Sequence, residues 1–388
     1  MRKILVLSLA FVLVIGITGL VVANEADIEQ VNDDHEAEVV QEGLNNISDI
    51  FQLGDPHEGF VEQIGDENEA YLDQGNEGRS LFADLSQEGD YNSVDVDQSS
   101  TEHSDAWVEQ IGDYNIVDID QTGYSNEADV LQDNTDNSEV TIDQTNRSEA
   151  DVQQIDENGS TVDIEQISHG LDNVFNFAEV KQEDGTENTV NIFQEARLYA
   201  VEGEDEGHNA VVNQSGSGNF VDITQTGKDG VATANSVILT QDGDSNFAKT
   251  NQIGDDNLIE LDQESASAWI EQDGNENVFR LEHNTVFPNQ DGESEVYFTQ
   301  DGDNNEFVGF DGESRTEWAY QNNSSYTGYQ DGNNNVIGLN QKGNDNALIT
   351  QEGDGNEAFL FQDDEEEGHS ANIVQDGEGN SATVNQSN

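Results

Sequence analysis

The sequence contains no cysteine, two prolines and very little positive charge. Without cysteine, the chain has no disulfides, no thiolate metal ligands, no thiol catalysis and no lipid anchor attached through an N-terminal cysteine. Only 11 Lys and Arg accompany 84 Asp and Glu, which gives a formal net charge of −73. Because phosphate binding needs Lys and Arg, this composition excludes nucleic acid and anionic membrane surfaces as natural partners.

Hydrophobic residues are also few, at 33% of the chain, and such a composition would usually indicate disorder. Their placement argues against disorder, as the stretch 115–132 illustrates. It holds two seven-residue units, each with a polar residue, two apolar residues at alternate positions and a final Gln. Alternation with period two predicts a half-buried strand. The first unit predicts inward Asn115, Val117, Ile119 and Gln121, and outward Ile116, Asp118 and Asp120.

This unit returns at a step of eleven residues along the chain, and about 32 copies account for nearly all of it. Two architectures fit short strands at this step: an antiparallel meander, and a β-solenoid in which each unit stacks on the second unit after it. The solenoid is favoured because it places Gln over Gln and Asn or Ser over Asn or Ser, so that the amides form cross-β ladders. We therefore predict an all-β solenoid of about 16 coils with two short strands per coil.

The prediction assigns specific residues to the ladders, the turns and the surface. The predicted ladder residues are Asn68, Gln74, Ser104, Gln110, Asn115, Gln121, Asn126, Gln132, Gln225, Gln241, Gln252, Gln263, Gln341, Gln375 and Gln386. The predicted turn glycines are Gly65, Gly112, Gly123, Gly243, Gly254, Gly332, Gly343, Gly353 and Gly377. Trp107 and Trp269 each precede an inward residue, so they should point outward. Such an exposed tryptophan indicates a contact surface for a glycan, a neighbouring fibre or lateral packing, and exposure without a role is the alternative.

One stretch departs from the pattern, between Gln263 and Gln330. His283 and Asp311 stand where Gln is expected, Pro288 falls inside a predicted strand, and the unit from Ser314 to Gln321 is one residue longer than the others. Proline cannot donate to a strand ladder, so this stretch is the predicted weak seam. Four longer connectors, at 167–175, 195–207, 226–234 and 363–368, are expected to bulge without ending the stack.

The N-terminus has the pattern of a secretory signal peptide. Arg2 and Lys3 precede an apolar run that ends in small side chains, so cleavage is expected after Ala23, with an uncleaved anchor as the alternative. Residues 24–388 would then form the repeat domain, without a membrane span. Removal of the two basic residues would change the formal charge to −75.

The acidic residues do not indicate an enzyme. Carboxylates such as Asp118 and Asp120 lie on outward positions without an apolar pocket to raise a pKa, so a catalytic role is not predicted. Turns such as Asp242-Gly243-Asp244 suggest calcium but lack the known binding spacings, so we expect no cofactor beyond loosely held divalent cations. His35, His57, His208 and His369 occupy the Asn or Ser position, which favours a ladder role over a metal site.

The unit resembles the curlin repeat of curli fibre subunits. The match is close at Ser104, Gln110, Gly112, Asn115 and Gln121, and it extends over essentially the whole chain after residue 23. The resemblance implies a secreted β-solenoid subunit that assembles into functional amyloid fibres of the biofilm matrix and cell surface. It also implies partners, namely further copies of the chain and curli-type export and nucleation proteins.

Templated addition at the edge of a terminal coil is the mechanism expected for such a subunit, since both ends of the repeat region show no obvious cap. The alternative is a monomeric acidic surface rod or adhesin stalk that binds Ca²⁺ loosely. A β-helix enzyme acting on an acidic polysaccharide would need more basic residues than this sequence provides.

Overall fold

The computed structural model describes residues 11–14, 23–32, 34–54, 56–75, 80–169, 175–196, 207–227, 234–264, 266–283, 294–322, 324–343, 345–363 and 368–387. These residues form β-strands and turns, and none of them is helical. Within the same ranges, no helix is long and apolar enough to cross a membrane. The chain divides into two compact units: residues 1–168 with 175–187 form unit 1, and residues 169–174 with 188–388 form unit 2.

Unit 1 is built from parallel strands that alternate between two sheets. In chain order they are β1 (Phe11–Val14), β2 (Glu25–Asn32), β3 (Glu36–Glu42), β4 (Ile47–Gly54), β5 (Glu58–Ile64), β6 (Glu69–Gly75), β7 (Phe82–Glu88), β8 (Ser93–Glu102), β9 (Asp105–Asp113), β10 (Ile116–Tyr124), β11 (Glu127–Asp136), β12 (Glu139–Thr145), β13 (Ser148–Ile155), β14 (Thr161–Ser168) and β15 (Asn176–Glu183). The odd-numbered strands form sheet 1A and the even-numbered strands form sheet 1B.

Unit 2 repeats the arrangement with one interruption. Its strands are β16 (Thr189–Ala196), β17 (Asn209–Ser215), β18 (Phe220–Thr226), β19 (Ser236–Asp242), β20 (Phe247–Asp255), β21 (Leu258–Glu264), β22 (Ala266–Asn275), β23 (Val278–His283), β24 (Ser294–Asp301), β25 (Glu306–Phe310), β26 (Arg315–Thr316), β27 (Ala319–Asn322), β28 (Ser325–Asp331), β29 (Val336–Lys342), β30 (Asn346–Glu352), β31 (Glu357–Asp363), β32 (Ser370–Asp376) and β33 (Ser381–Ser387). Sheet 2B contains β16, β18, β20, β22, β24, β28, β30 and β32, and the other strands form sheet 2A.

Away from the seam, the strands of each unit stack in parallel on the second strand after them, which confirms the solenoid over the meander. In sheet 1B, Gln121 of β10 pairs with Gln98 of β8 on one side and with Gln144 of β12 on the other. Burial alternates as predicted: Val117 and Ile119 are buried, whereas Asp118 is exposed. The core therefore lies between the two sheets of each unit, where aliphatic side chains and Gln face one another.

In the part of the chain that the structure describes, the two units hold about 14 turns, compared with the 16 expected. One cause lies at the predicted seam, where two expected units share a single rung. Strand β25 ends at Phe310, the chain leaves through the short antiparallel strand β26, and β27 then completes the rung on β23. Asp311 consequently lies exposed in this excursion and Gln321 takes the Gln position, so the prediction for Asp311 was wrong.

The core around the seam is aromatic, where other rungs carry small aliphatic residues. Phe279, Phe298, Phe307 and Tyr326 are buried together, with ring centroids 4.7 to 6.0 Å apart. Gly328 makes room for them, because a Cβ there would lie 2.1 Å from the Tyr326 hydroxyl. Protein interiors are closely packed, so large inward rings require a small residue such as glycine at a neighbouring inward position.

Several expectations concern residues outside the described ranges. These are Pro288, most of residues 1–23 and the middle parts of the four longer connectors. Within the predicted signal peptide, Phe11–Val14 form β1, which pairs in parallel with Glu38 to Gln41 of β3. The signal peptide, its cleavage and the boundary of the repeat domain at residue 24 remain predictions.

Candidate functional site: polar ladders and the faces of the sheets

Columns of glutamine run along both sheets of each unit. In sheet 1B, Gln98 Nε2 donates to Gln121 Oε1 at 3.0 Å, and Gln121 Nε2 donates to Gln144 Oε1 at 2.9 Å. Gln121 Nε2 also donates across the core to the carbonyl of Asp105 at 3.0 Å. Gln121 thus ties its rung to the next rung and to the opposite sheet. The predicted ladder residues in these columns are Gln74, Gln110, Gln121, Gln132, Gln225, Gln241, Gln252, Gln263, Gln341, Gln375 and Gln386.

The ladder of sheet 2A is interrupted at the seam. His283 stands in register with Gln321, which in turn pairs with Gln341. The Oε1 atoms of Gln321 and Gln341 are buried, and within the described ranges neither has a hydrogen-bond partner. This break lies at the predicted weak seam, and it should weaken the stack because buried acceptors without a hydrogen bond lower the free energy of unfolding.

Asparagine forms a second column beside each turn. Asn68 Oδ1 accepts the backbone N–H of Asn92 at 2.9 Å, and Asn68 Nδ2 donates to the carbonyl of Gly89 at 2.7 Å. Asn115 makes the same pair of bonds, to Ser138 N and Thr135 O. Ser104 takes the acceptor part, through a 3.2 Å bond from Asn126 N to its hydroxyl. Asn126 Oδ1 then accepts from the backbone of Ser148.

Histidine substitutes for asparagine in this column. His57 Nδ1 accepts the backbone N–H of Leu81 at 3.2 Å, as Asn Oδ1 does, and its Nε2 lies 3.1 Å from the carbonyl of Leu53. His35 makes the equivalent bonds to His57 N and Val31 O, and the two rings lie 5.1 Å apart. The described ranges contain no group of three or more His, Asp or Glu side chains arranged to hold a metal ion. The geometry therefore places these histidines in the ladder.

His208 supports a test of this histidine role. It is fully buried with Nε2 3.0 Å from the carbonyl of Glu195, and burial lowers its pKa from 6.5 to about 4. Because the folded pKa is below the unfolded value, its stabilising contribution is complete above pH 6.5 and is lost as the pH falls toward 4. The free energy of unfolding of the wild type should therefore fall by about 2 kcal/mol between pH 7.5 and pH 5 because of His208, and His208→Asn should not show this fall.

Denaturant unfolding of both proteins across this pH range measures the effect. His103→Asn, at an exposed turn position, is the matched control and should follow the wild type. If His208→Asn and the wild type lose stability in parallel, His208 is not held neutral in the column.

The turns contain glycines at the predicted positions and a column of Asp that the sequence did not reveal. All nine predicted turn glycines have positive φ, for example 124° at Gly65. The aspartate after this glycine accepts a backbone N–H from the turn of the preceding rung. Asp66 Oδ1 accepts from Leu44 at 2.7 Å, and Asp90 Oδ1 accepts from Asp66 at 2.7 Å.

The same contact explains one turn that suggested calcium. Asp244 Oδ1 accepts the backbone N–H of Ser217 at 2.8 Å, so this carboxylate has a structural role in the turn. The signal for the column is the Gly-Asp pair itself, repeated one rung apart on the same sheet.

Outward carboxylates stack along the sheets and perturb one another. Partial burial between rungs, then repulsion from Asp97 and Asp143, raises the pKa of Asp120. The pKa of Asp129 is raised in the same way, by partial burial and by Asp151. No apolar pocket is needed to raise these two pKa values, because neighbouring rungs lie only about 4.8 Å apart and partly cover each carboxylate.

Both predicted tryptophans lie on outward faces, in contact with other aromatic rings. The ring of Trp107 is 5.5 Å from Phe82, between Asp84 and Asp129 in its column. Trp269 lies 4.7 Å from Phe247 and 4.5 Å from Tyr297, with which it is stacked at 5°. The sequence indicated the two tryptophans as outward residues but not their aromatic neighbours. The register of the strands places those neighbouring rings beside them.

The fold and the ladders define a class: a parallel β-solenoid repeat protein with two strands per turn and in-register amide columns. Residues 112–145 and 232–264 match the family model of the curlin associated repeat. These two matches support the resemblance to the curlin-repeat family that the sequence indicated. Among curated proteins, none matches the chain.

Proposed function

We propose that this protein is a secreted structural subunit that adds end to end into extracellular amyloid fibres of a biofilm matrix or cell surface. One observation carries the proposal: the inward row of the rung formed by β32 and β33 is incompletely covered. Ala382, Val384 and Gln386 are half exposed, whereas Ala358 and Leu360, at the equivalent places in β31, are fully buried. A second copy of the chain would cover this row.

The first strands present a matching row. Asn24, Ala26, Ile28 and Gln30 around β2 are half exposed, and they carry the same kinds of side chain as β33 in the same order. Once residues 1–23 and with them β1 are removed from the edge of β3, stacking β32 on β2 and β33 on β3 of another copy would continue both sheets. Unpaired strand edges are ready templates for such addition.

The ladders give this stacking a direction. Gln30 Nε2 donates to Gln52 at 2.7 Å and Gln362 Nε2 donates to Gln386 at 2.6 Å, so the amide donor points toward the later strand at both places. The last rung of one copy would thus offer Gln donors, and a copy placed after β33 would meet them with its Gln acceptors. Head-to-head stacking would oppose like groups, which costs about 1–3 kcal/mol for each buried amide left unsatisfied.

Charge should control this assembly. A copy without residues 1–23 carries a formal charge of −75, and the stacked carboxylates already repel one another within a copy. Salt shortens the Debye length to about 3 Å at 1 M, and divalent cations or a pH near the isoelectric point reduce the repulsion further. We expect the purified protein to assemble faster under each of these conditions, followed by thioflavin fluorescence and electron microscopy.

The runner-up is a monomeric acidic rod or adhesin stalk, which the acidic outward face of sheet 1B favours. A protein that stays monomeric at high salt, with divalent cations and near its isoelectric point would contradict the fibre subunit and support the stalk. Loose uptake of Ca²⁺ is compatible with both. Under the fibre proposal, curli-type export and nucleation proteins are the expected partners.

A further inference from the structure

The outward faces of the sheets differ sharply in charge. Each strand has three outward positions between its Asn-type residue and its Gln. In sheet 1B, Asp or Glu fills about two thirds of these positions, as at Asp95 and Asp97 in β8. In sheet 2B, across eight strands, the only acidic residues there are Asp222, Glu271 and Glu295, accompanied by Lys249. We call the outward positions of sheet 2B the acid-poor face.

The acid-poor face carries aromatic and apolar side chains among hydroxyl and amide groups. Phe220, Phe247, Trp269 and Tyr297 form a run of rings with centroids 4.5 to 5.1 Å apart. Tyr297 is 42% exposed, and farther along the face Leu348 is 40% and Val374 is 66% exposed. Large exposed apolar side chains gathered on one face are typical of an interaction surface.

We propose that the acid-poor face packs against the same face of a second copy, so that filaments associate side by side. The charge distribution supports this occupant. Two copies with a formal charge near −75 can approach with little repulsion where few carboxylates meet, and the acid-poor face offers such a place. Both faces also have the same rung spacing, so their side-chain columns can interdigitate as paired sheets do in cross-β assemblies.

The ring geometry favours a protein sheet over a sugar. Trp269 lies between Phe247 and Tyr297, with ring centroids 4.7 and 4.5 Å from its own, so aromatic rings crowd it from both neighbouring strands. A glycan recognised by stacking needs an open ring face, whereas sheet packing uses the edges and the columns.

The size of the face sets when the contact forms. Eight rungs at about 4.8 Å and three outward positions at about 6.8 Å give roughly 800 Å². A stable interface buries about 800 Å² per partner. A single pair would therefore need the whole face, and association becomes stronger when end-to-end growth presents many faces together. This inference rests on the proposed fibre, and it concerns a different surface of the molecule.

The test is a double variant, Trp269→Glu with Tyr297→Glu, compared with Trp107→Glu. Trp107 is also an outward tryptophan in an aromatic contact, but its column neighbours are Asp84 and Asp129. Light scattering and electron microscopy report side-by-side association, and thioflavin fluorescence reports end-to-end growth. We expect the double variant to form single filaments at the wild-type rate, while the wild type and Trp107→Glu form bundles.

Bundles of the double variant with wild-type width, or loss of bundles in Trp107→Glu as well, would overturn the proposal. If the wild type forms no filaments, the fibre proposal fails. Self-association measured by sedimentation at high protein concentration in 1 M salt then still tests the contact between acid-poor faces. Weak self-association that only the double variant loses supports the contact, and equal behaviour of all three proteins refutes it. Binding of an insoluble neutral glucan by the wild type, lost in the double variant and without self-association, would also refute it.

Discussion

Replacing Gln121 with leucine is expected to lower the free energy of unfolding by about 2–5 kcal/mol. The side chain is completely buried and bonds to Gln98, Gln144 and the carbonyl of Asp105. Leucine has a similar size but cannot donate, so the carbonyl of Asp105 and Oε1 of Gln144 lose this donor inside the core. A buried acceptor left without a partner costs about 1–3 kcal/mol, which sets the expected range.

The control is the same change at an outward glutamine. Gln153 lies on β13, half exposed, next to the inward Gln154. Gln153→Leu should alter stability by less than about 0.5 kcal/mol, as is usual for surface changes. Denaturant unfolding of the three proteins gives the comparison. Equal stability of Gln121→Leu and the wild type would mean that the glutamine column does not hold the rungs together.

Replacing Gly65 with alanine should be at least as damaging, by about 3–5 kcal/mol. Gly65 has φ of 124°, where a side chain is strained, and its turn stacks directly on the next one. A Cβ at this position would lie 1.9 Å from the carbonyl oxygen of Gly89, so the backbone of two rungs would have to separate. The separation would also disturb the bond from Asp66 N to Asp90 Oδ1.

Gly355 supplies the control for strain without close contact. Its φ is 69° and a Cβ at this position would have nothing within 4 Å, so Gly355→Ala should cost only about 1 kcal/mol. Thermal unfolding monitored by circular dichroism compares both variants with the wild type. If both alanines cost the same, close stacking of the turns is not what requires glycine at Gly65.

The sequence was sufficient for the strands, their inward faces and the stacking rule, because these depend on local alternation and on a constant step. Val117 and Gln121 are buried and Asp118 is exposed because side chains alternate along a strand, whatever the surroundings. The favoured stacking followed from the same reasoning, since only register-true stacking satisfies Gln121 and Gln144 together.

Features that depend on contacts between rungs were missed, although the register would have revealed some of them. The pKa of Asp120 is raised partly by Asp97 and Asp143, which are more than twenty positions away in the chain but adjacent in the sheet. The Asp66–Asp90 contact has the same origin. The acid-poor face likewise becomes visible only when alternate units are placed on separate sheets.

The seam could not be predicted in detail because two patterns compete there. Asp311 fits the spacing of the repeat, but it lies in a turn, where its carboxylate accepts the backbone N–H groups of Glu313 and Ser314. These bonds lower the pKa of Asp311 and favour the excursion. Spacing alone does not show that Gln321 completes the rung.

The stacking of each unit on the second unit after it is the central claim, and disulfide mapping tests it directly. The chain has no cysteine, so pairs can be introduced at will. Asp118 and Thr141 are outward partners in neighbouring rungs of sheet 1B, so their Cα atoms should be about 4.8 Å apart, within disulfide range. Asp118 and Asp129 are closer in sequence but lie on different sheets.

Mild oxidation of the two double-cysteine variants should therefore give opposite results. The account predicts rapid disulfide formation in Asp118→Cys with Thr141→Cys, and none in Asp118→Cys with Asp129→Cys, read by mass spectrometry of proteolytic peptides. Disulfide formation in the second pair and not in the first would contradict the solenoid and indicate an antiparallel meander.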